Sequence, residues 1–141
     1  MTINEANYQD VLKMRRDVMY PGKDIDFVKL DNDEMGIHMG VYEGGDLITV
    51  ASIFMDKARN VQFRKLATRN DMQGKGYGSA MIKWLIDYAN DVKLNSLWCN
   101  ARKEAAAFYE KFGFEKTDKT FSKDGYDFVV MQKKFSRQYL I

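Results

Sequence analysis

The chain has 141 residues and a formal net charge of +2, with 45% hydrophobic and 30% charged residues. A chain of this length buries roughly two thirds of its unfolded surface without staples, so one domain over residues 1–141 is expected and disorder is excluded. Lys and Arg never run longer than two, which argues against a nucleic-acid partner, and the single Cys99 leaves no internal disulfide and no cysteine zinc site.

Residues 5–19 read as a helix, with Ala6, Val11, Leu12, Met14, Val18 and Met19 as an imperfect apolar stripe that Pro21-Gly22 stops. Residues 22–34 are acidic and irregular, a loop with a short helical piece. Ile37, Met39 and Val41 alternate with His38, Gly40 and Tyr42, which predicts a strand. With the turn Glu43–Asp46 and the apolar run Leu47–Met55, residues 36–56 form an antiparallel hairpin. That run is also the longest apolar stretch, far too short to span a bilayer. The start, Met1-Thr2-Ile3-Asn4-Glu5, is polar and has no signal-peptide character, so cytoplasmic residence is the default.

Val61–Thr68 follows as a third strand. Over Gly76–Val92 the apolar residues Tyr77, Ala80, Met81, Trp84, Leu85 and Tyr88 fall on one face of a helix. Ser96–Cys99 reads as a short strand and Glu104–Phe112 as a helix, with Gly113 in the place of a left-handed cap and Phe114 as its hydrophobic contact. Phe114–Lys116 and Tyr126–Lys133 close the chain as strands around the loop Ser122–Gly125. This order gives an α+β fold: a mixed, mostly antiparallel sheet with a central parallel β-α-β unit and flanking helices. The parallel pair is Val61–Thr68 with Ser96–Cys99, joined by a right-handed crossover.

Between the third strand and the long helix stands Gln73-Gly74-Lys75-Gly76-Tyr77-Gly78. The first turn of a helix offers unpaired N–H groups and partial positive charge, glycines admit φ > 0 and close approach, and Lys75 adds a full charge. An anion suits such a place. Gln73 either braces the loop or contacts the anion. A dinucleotide fingerprint does not fit, because Ser79 stands where its third glycine belongs. A Walker loop does not fit either, because Gly76 follows Lys75. A plain flexible turn stays open on these residues alone.

Gln73-x-x-Gly76-x-Gly78 is similar to the Q/R-x-x-G-x-G/A acyl-CoA pyrophosphate loop of the GNAT N-acetyltransferase superfamily. Some 30 residues on, Ala106-x-Phe108-Tyr109-Glu110-Lys111-x-Gly113-Phe114 resembles that family's second signature. The order of elements agrees along nearly the whole chain, least well in the N-terminal third. The resemblance implies acetyl-CoA as acyl donor and no metal. It implies a cofactor site from Gln73, Gly74, Lys75, Gly76, Tyr77, Gly78 and Ser79, with Leu66, Ala67 and Thr68 along the pantetheine arm. It implies direct attack by a primary amine, carried by a small molecule or a protein, and it is compatible with a homodimer.

An amine attacking a thioester needs a neutral amine, a polarised carbonyl and a proton for the leaving thiolate. Tyr109 resembles the family's general-acid tyrosine, since a phenol with a pKa near 10 can protonate a thiolate whose conjugate acid lies near 8.5. Its other reading is a core aromatic beside Phe108 and Phe112. Asn100 contacts the cofactor arm or forms a turn, and Arg102 touches a CoA phosphate or faces solvent. The third strand has no carboxylate to act as base. His38 is the only histidine and is the candidate base on its chemistry, against a hydrogen-bonded structural role. Arg64 is placed to bind a carboxylate on the acceptor. Cys99, in an apolar strand with no nearby base, reads as an inert thiol and not a nucleophile. The missing strand carboxylate keeps one alternative open, a non-catalytic acyl-CoA-binding sensor.

Overall fold

The computed structural model describes residues 1–135. The chain runs through β1 (Thr2–Glu5), α1 (Tyr8–Met19), single helical turns at Ile25–Val28 and Asp33–Met35, β2 (Ile37–Glu43), β3 (Asp46–Met55) and β4 (Asn60–Thr68). After a turn at Asn70–Met72 come α2 (Tyr77–Asp91), β5 (Ser96–Arg102), a turn at Lys103–Ala105, α3 (Ala106–Glu110), β6 (Glu115–Lys123) and β7 (Tyr126–Lys134). The fold is α+β, with mostly antiparallel pairing and one parallel pair, as the order of elements predicts. Two compact units divide it: Met1–Phe54 with Phe63–Leu85, and Met55–Gln62 with the described chain from Ile86 onward. No described helix is long and apolar enough to cross a membrane.

In the first unit the strand order is β1-β2-β3-β4. β2 and β3 form the predicted hairpin, from Ile37 opposite Ile53 to Glu43 opposite Asp46. Gly44 and Gly45 close it with φ of 58° and 86°, the left-handed pair that a two-residue hairpin turn demands. β1 was not predicted. It pairs with the outer edge of β2, and all but Ile3 of its residues are exposed, so it carries no alternation to read. The helix therefore starts later than expected, where the Asn7 side chain accepts from the backbone N–H groups of Gln9 (2.9 Å) and Asp10 (3.3 Å). Val11 and Met14 of α1 pack on Val50 of β3 and Ala67 of β4. Burying such side chains stabilises by roughly 1.5–3 kcal/mol each.

In the second unit the order is β4-β5-β7-β6. Asn60, Val61 and Gln62 of β4 run parallel to Ser96, Leu97 and Trp98 of β5. β5 extends to Arg102, beyond the predicted Cys99, because β7 pairs with its whole length. α3 is shorter than predicted. Its last turn tightens, with Phe112 N–H on Tyr109 O (3.0 Å) and Gly113 N–H on Glu110 O (3.0 Å). Gly113 then takes the expected left-handed φ of 89°, and the rings of Phe114 and Tyr109 lie 6.0 Å apart. β6 runs well past Lys116; it is an edge strand exposed along nearly all its length.

Candidate functional site

The glycine loop belongs to the first unit. Gln73 is its brace: Nε2 donates to Thr68 O (3.0 Å) and Asn70 Oδ1 (3.2 Å), which ties the loop to the end of β4. The same strand end is anchored by Thr68 Oγ1 on Thr49 Oγ1 (2.8 Å) and by Arg69 N–H on Ile48 O (2.9 Å). Leu66–Thr68 and the loop are thus one connected piece. Gly74 and Gly76 adopt φ of 76° and 91°, where a side chain is strained. At both, no other atom lies within 4 Å of where a Cβ would stand, so the backbone is open to a ligand. Gly76 O accepts from Ala80 N–H (3.0 Å), so α2 begins here and the N–H groups of its first turn have no carbonyl in the helix to serve. That turn holds no carboxylate, Lys75 is exposed beside it, and nearby Asp71 is neutralised by Arg69 at 2.7 Å. Backbone donors, a helix dipole and an open surface fit a pyrophosphate.

A cleft of about 620 Å³ opens elsewhere on this unit, between α1, the β2–β3 turn and Arg69–Asp71. It contains no predicted site residue, and its lining carries both signs of charge, with Asp10, Asp17 and Asp46 beside Lys13 and the Arg69–Asp71 pair.

His38 is hydrogen-bonded at both ring nitrogens. Its Nε2 lies 2.9 Å from Asp33 O and its Nδ1 2.7 Å from Ser52 Oγ. A carbonyl only accepts, so Nε2 carries the proton and Nδ1 accepts from the Ser52 hydroxyl. Ser52 Oγ in turn accepts from Arg15 Nη2 (2.8 Å). Both ring nitrogens have partners in a part-buried network, which favours the hydrogen-bonded structural role over that of a base. The centre of that network is Asp33, which takes both guanidinium nitrogens of Arg15, the Tyr8 phenol (2.6 Å) and Leu30 N–H (2.9 Å). Neither Arg15 nor Asp33 was singled out in the sequence, because neither sits in a motif.

Arg64 is half-buried on β4 and lies within electrostatic range of Arg15, Asp33 and Tyr20. Its neighbour Lys65, which drew no attention in the sequence, has φ of 55° inside the strand and donates from Nζ to Tyr20 Oη at 2.8 Å.

Tyr109, Asn100, Arg102 and Cys99 belong to the second unit. Tyr109 packs against Phe108 at 5.1 Å, and burial, then the neighbouring Cys99, push its phenol above the ordinary range. The group stays protonated at neutral pH. Cys99 is buried, and burial pushes its thiol up to about 12, so it is the inert thiol expected. Asn100 is exposed on β5 opposite Val130. Arg102 does not project freely into solvent: its guanidinium stacks 3.8 Å over the Tyr126 ring. Among the described residues, no three His, Cys, Asp or Glu side chains cluster to hold a metal.

Comparison with known proteins agrees with this geometry. Residues 28–135 match the acetyltransferase (GNAT) domain family. The chain is 25% identical to the uncharacterized N-acetyltransferase YitI of Bacillus subtilis (strain 168), over 94% of this chain and 95% of that one. Its fold is similar to the ribosomal-protein-S18-alanine N-acetyltransferase from Escherichia coli, with a TM-score of 0.80 and 19% identity over 98% and 96% of the two chains. It is also similar to a GNAT family acetyltransferase from Elizabethkingia anophelis with acetyl-CoA bound, with a TM-score of 0.73 and 15% identity over 95% and 97%. Loop, fold and family model all lead to one assignment: this chain belongs to the GNAT acetyltransferase family, the acetyl-CoA-dependent N-acetyltransferases.

Proposed function

We propose that the chain acetylates a primary amine by direct attack, with donor and acceptor bound together, and that it works in the cytoplasm. The acceptor amine belongs to a small molecule or to a protein terminus or lysine. Acetyl-CoA supplies the acetyl group as a thioester. In this reading the N–H groups of Tyr77, Gly78 and Ser79 hold its pyrophosphate with Gly74, Lys75 and Gly76, and Gln73 holds the loop. Leu66, Ala67 and Thr68 line the arm, and Asn100 contributes from β5. As the C–N bond forms and the C–S bond breaks, Tyr109 gives its phenol proton to the leaving thiolate, and the proton released by the amine nitrogen passes to solvent water, from which the phenolate is reprotonated. Cys99 takes no part, because burial holds it as a thiol.

The single observation that supports this best is the loop: two glycines at positive φ, open to a ligand, pinned by Gln73 to the strand end at the start of α2. Incubation of the protein with acetyl-CoA and an amine panel, with detection of released thiol, tests it. Turnover with at least one amine is expected. Binding of acetyl-CoA without turnover of any amine would favour the sensor reading, and absence of binding would remove both.

A further inference from the structure

In a regular strand, consecutive side chains point to opposite faces. β4 is not regular at Lys65, the residue after Arg64. Lys65 sits at φ of 55°, a left-handed residue inside β4, which is how a bulge kinks a strand and re-aims its side chains. Lys65 Nζ reaches the Tyr20 phenol at 2.8 Å and lies 5.0 Å over its ring. Arg64 interacts electrostatically with the same Tyr20 and with Arg15 and Asp33. Lys65 therefore reaches the residue that ends α1, and Arg64 stands next to it in β4.

Neither cation meets a carboxylate that is free to pair with it. Asp33 is the one acid that acts on Arg64, and it already accepts four hydrogen bonds, from Tyr8, Leu30 N–H and both guanidinium nitrogens of Arg15. A carboxylate has about four lone-pair sites, so Asp33 is saturated. Among the described residues the Arg64 side chain makes no hydrogen bond or ion pair, although it is half-buried. Tyr20 Oη accepts from Lys65, which leaves its own O–H to donate. The cluster offers donors and positive charge, and its acceptor, Tyr20 Oη, is already used by Lys65. Burying such a cation is costly unless an anion meets it, and burial does press the Arg64 guanidinium to give up its charge.

We propose that Arg64, with Lys65 and Tyr20, holds the carboxylate of the acceptor, so that the preferred acceptors are amino-acid-like amines. The planar fork of Arg64 matches a carboxylate with two parallel hydrogen bonds. This inference rests on the acyl-transfer reading for its meaning, but its test does not depend on turnover.

The test compares matched pairs that differ only in the carboxylate: phenylalanine with phenethylamine, lysine with cadaverine, and arginine with agmatine. Their N-acetyl forms serve as binding probes by calorimetry in the presence of CoA. At least one carboxylate-bearing probe is expected to bind roughly tenfold to a hundredfold more tightly than its partner, and the same ratio is expected in kcat/KM. Arg64→Gln should shrink the ratio to within about threefold, and Arg64→Lys should keep part of it. The acetyl-CoA thermal shift of both variants shows that they are folded. Equal binding of every pair by the wild-type protein, or a ratio untouched by Arg64→Gln, overturns the proposal. So does a preference for aminophosphonates over amino acids. If carboxylate probes bind through Arg64 and no amine is turned over, the carboxylate site stands and the acyl-transfer reading fails.

Discussion

Arg15 and Asp33 meet in a two-pronged ion pair, Nη1 to Oδ2 at 2.8 Å and Nη2 to Oδ1 at 2.9 Å, with both side chains buried. The pair joins α1 to the Asp33–Met35 turn, and through Ser52 and His38 to the β2–β3 hairpin. Arg15 Nη1 also donates to Val28 O (3.0 Å), while its Nε has no hydrogen-bond partner among the described residues. Asp33→Asn keeps the shape and leaves a buried cation uncompensated. It should cost about 3–5 kcal/mol, read as a fall in the denaturant midpoint at unchanged slope.

The same carboxylate makes stability depend on acid. Burial alone would raise its pKa, but the hydrogen bonds from Arg15, Tyr8 and Leu30 N–H outweigh burial and hold it at about 2. The folded value lies below the unfolded one, so the stabilisation is fully present above about pH 4 and is lost as pH falls toward about 2. The loss should be on the order of 2 kcal/mol, and urea melts between pH 5 and pH 2.5 would measure it. A wild-type curve parallel to that of Asp33→Asn across this window would contradict the assignment.

His38 should matter for stability and not for proton transfer. His38→Phe leaves the Ser52 hydroxyl and Asp33 O without their partner, a loss of about 1–3 kcal/mol. Below the melting temperature, the variant's pH–rate profile should keep the wild-type shape. An arm of the profile that disappears with the imidazole would restore His38 as the base.

The sequence made the two motifs legible because their chemistry is local. A glycine loop before an amphipathic helix needs only contiguous residues, and Gly113 announces its own left-handed cap. The hairpin was legible from alternation and its turn. The Arg15–Asp33 network was not, because its bonded pairs lie up to 37 residues apart and no periodicity links them. A polar residue such as His38, on a strand that alternates, looks the same whether it faces a substrate or a buried arginine. β1 and β6 were lost or shortened because edge strands exposed on both faces have no period of two. Lys65 was invisible because its importance lies in a backbone angle.

Acetyl-CoA should stabilise the protein by about 2.7 kcal/mol at a hundred times its Kd. Gly78→Asp should reduce that shift to nearly nothing. Gly78 lies in the first turn of α2, so the substitution puts a carboxylate among the anion-binding N–H groups without forcing a positive φ. Gly76→Asp is a less clean test, because φ of 91° strains any side chain whether or not a ligand is present. A Gly78→Asp protein that melts like the wild type and still shows the full acetyl-CoA shift would move the pyrophosphate elsewhere.

Tyr109→Phe separates chemistry from packing. The ring stays, so its contacts with Phe108 and Phe114 are kept, and the thermal melt of the variant reads any loss of stability separately from activity. The phenol stays protonated at neutral pH, as an ordinary phenol does, with burial raising its pKa further, and its proposed task falls only at departure of the thiolate. Its loss should therefore appear in kcat and not in acetyl-CoA affinity. General-acid catalysis contributes roughly 10²–10⁴-fold, so a drop in kcat on the order of a hundredfold is expected. The fall should be smaller with an acyl donor whose thiol is more acidic, because such a thiolate leaves without help. Equal losses with both donors would mean that the hydroxyl positions the site and donates no proton, and full activity would make Tyr109 a packing residue.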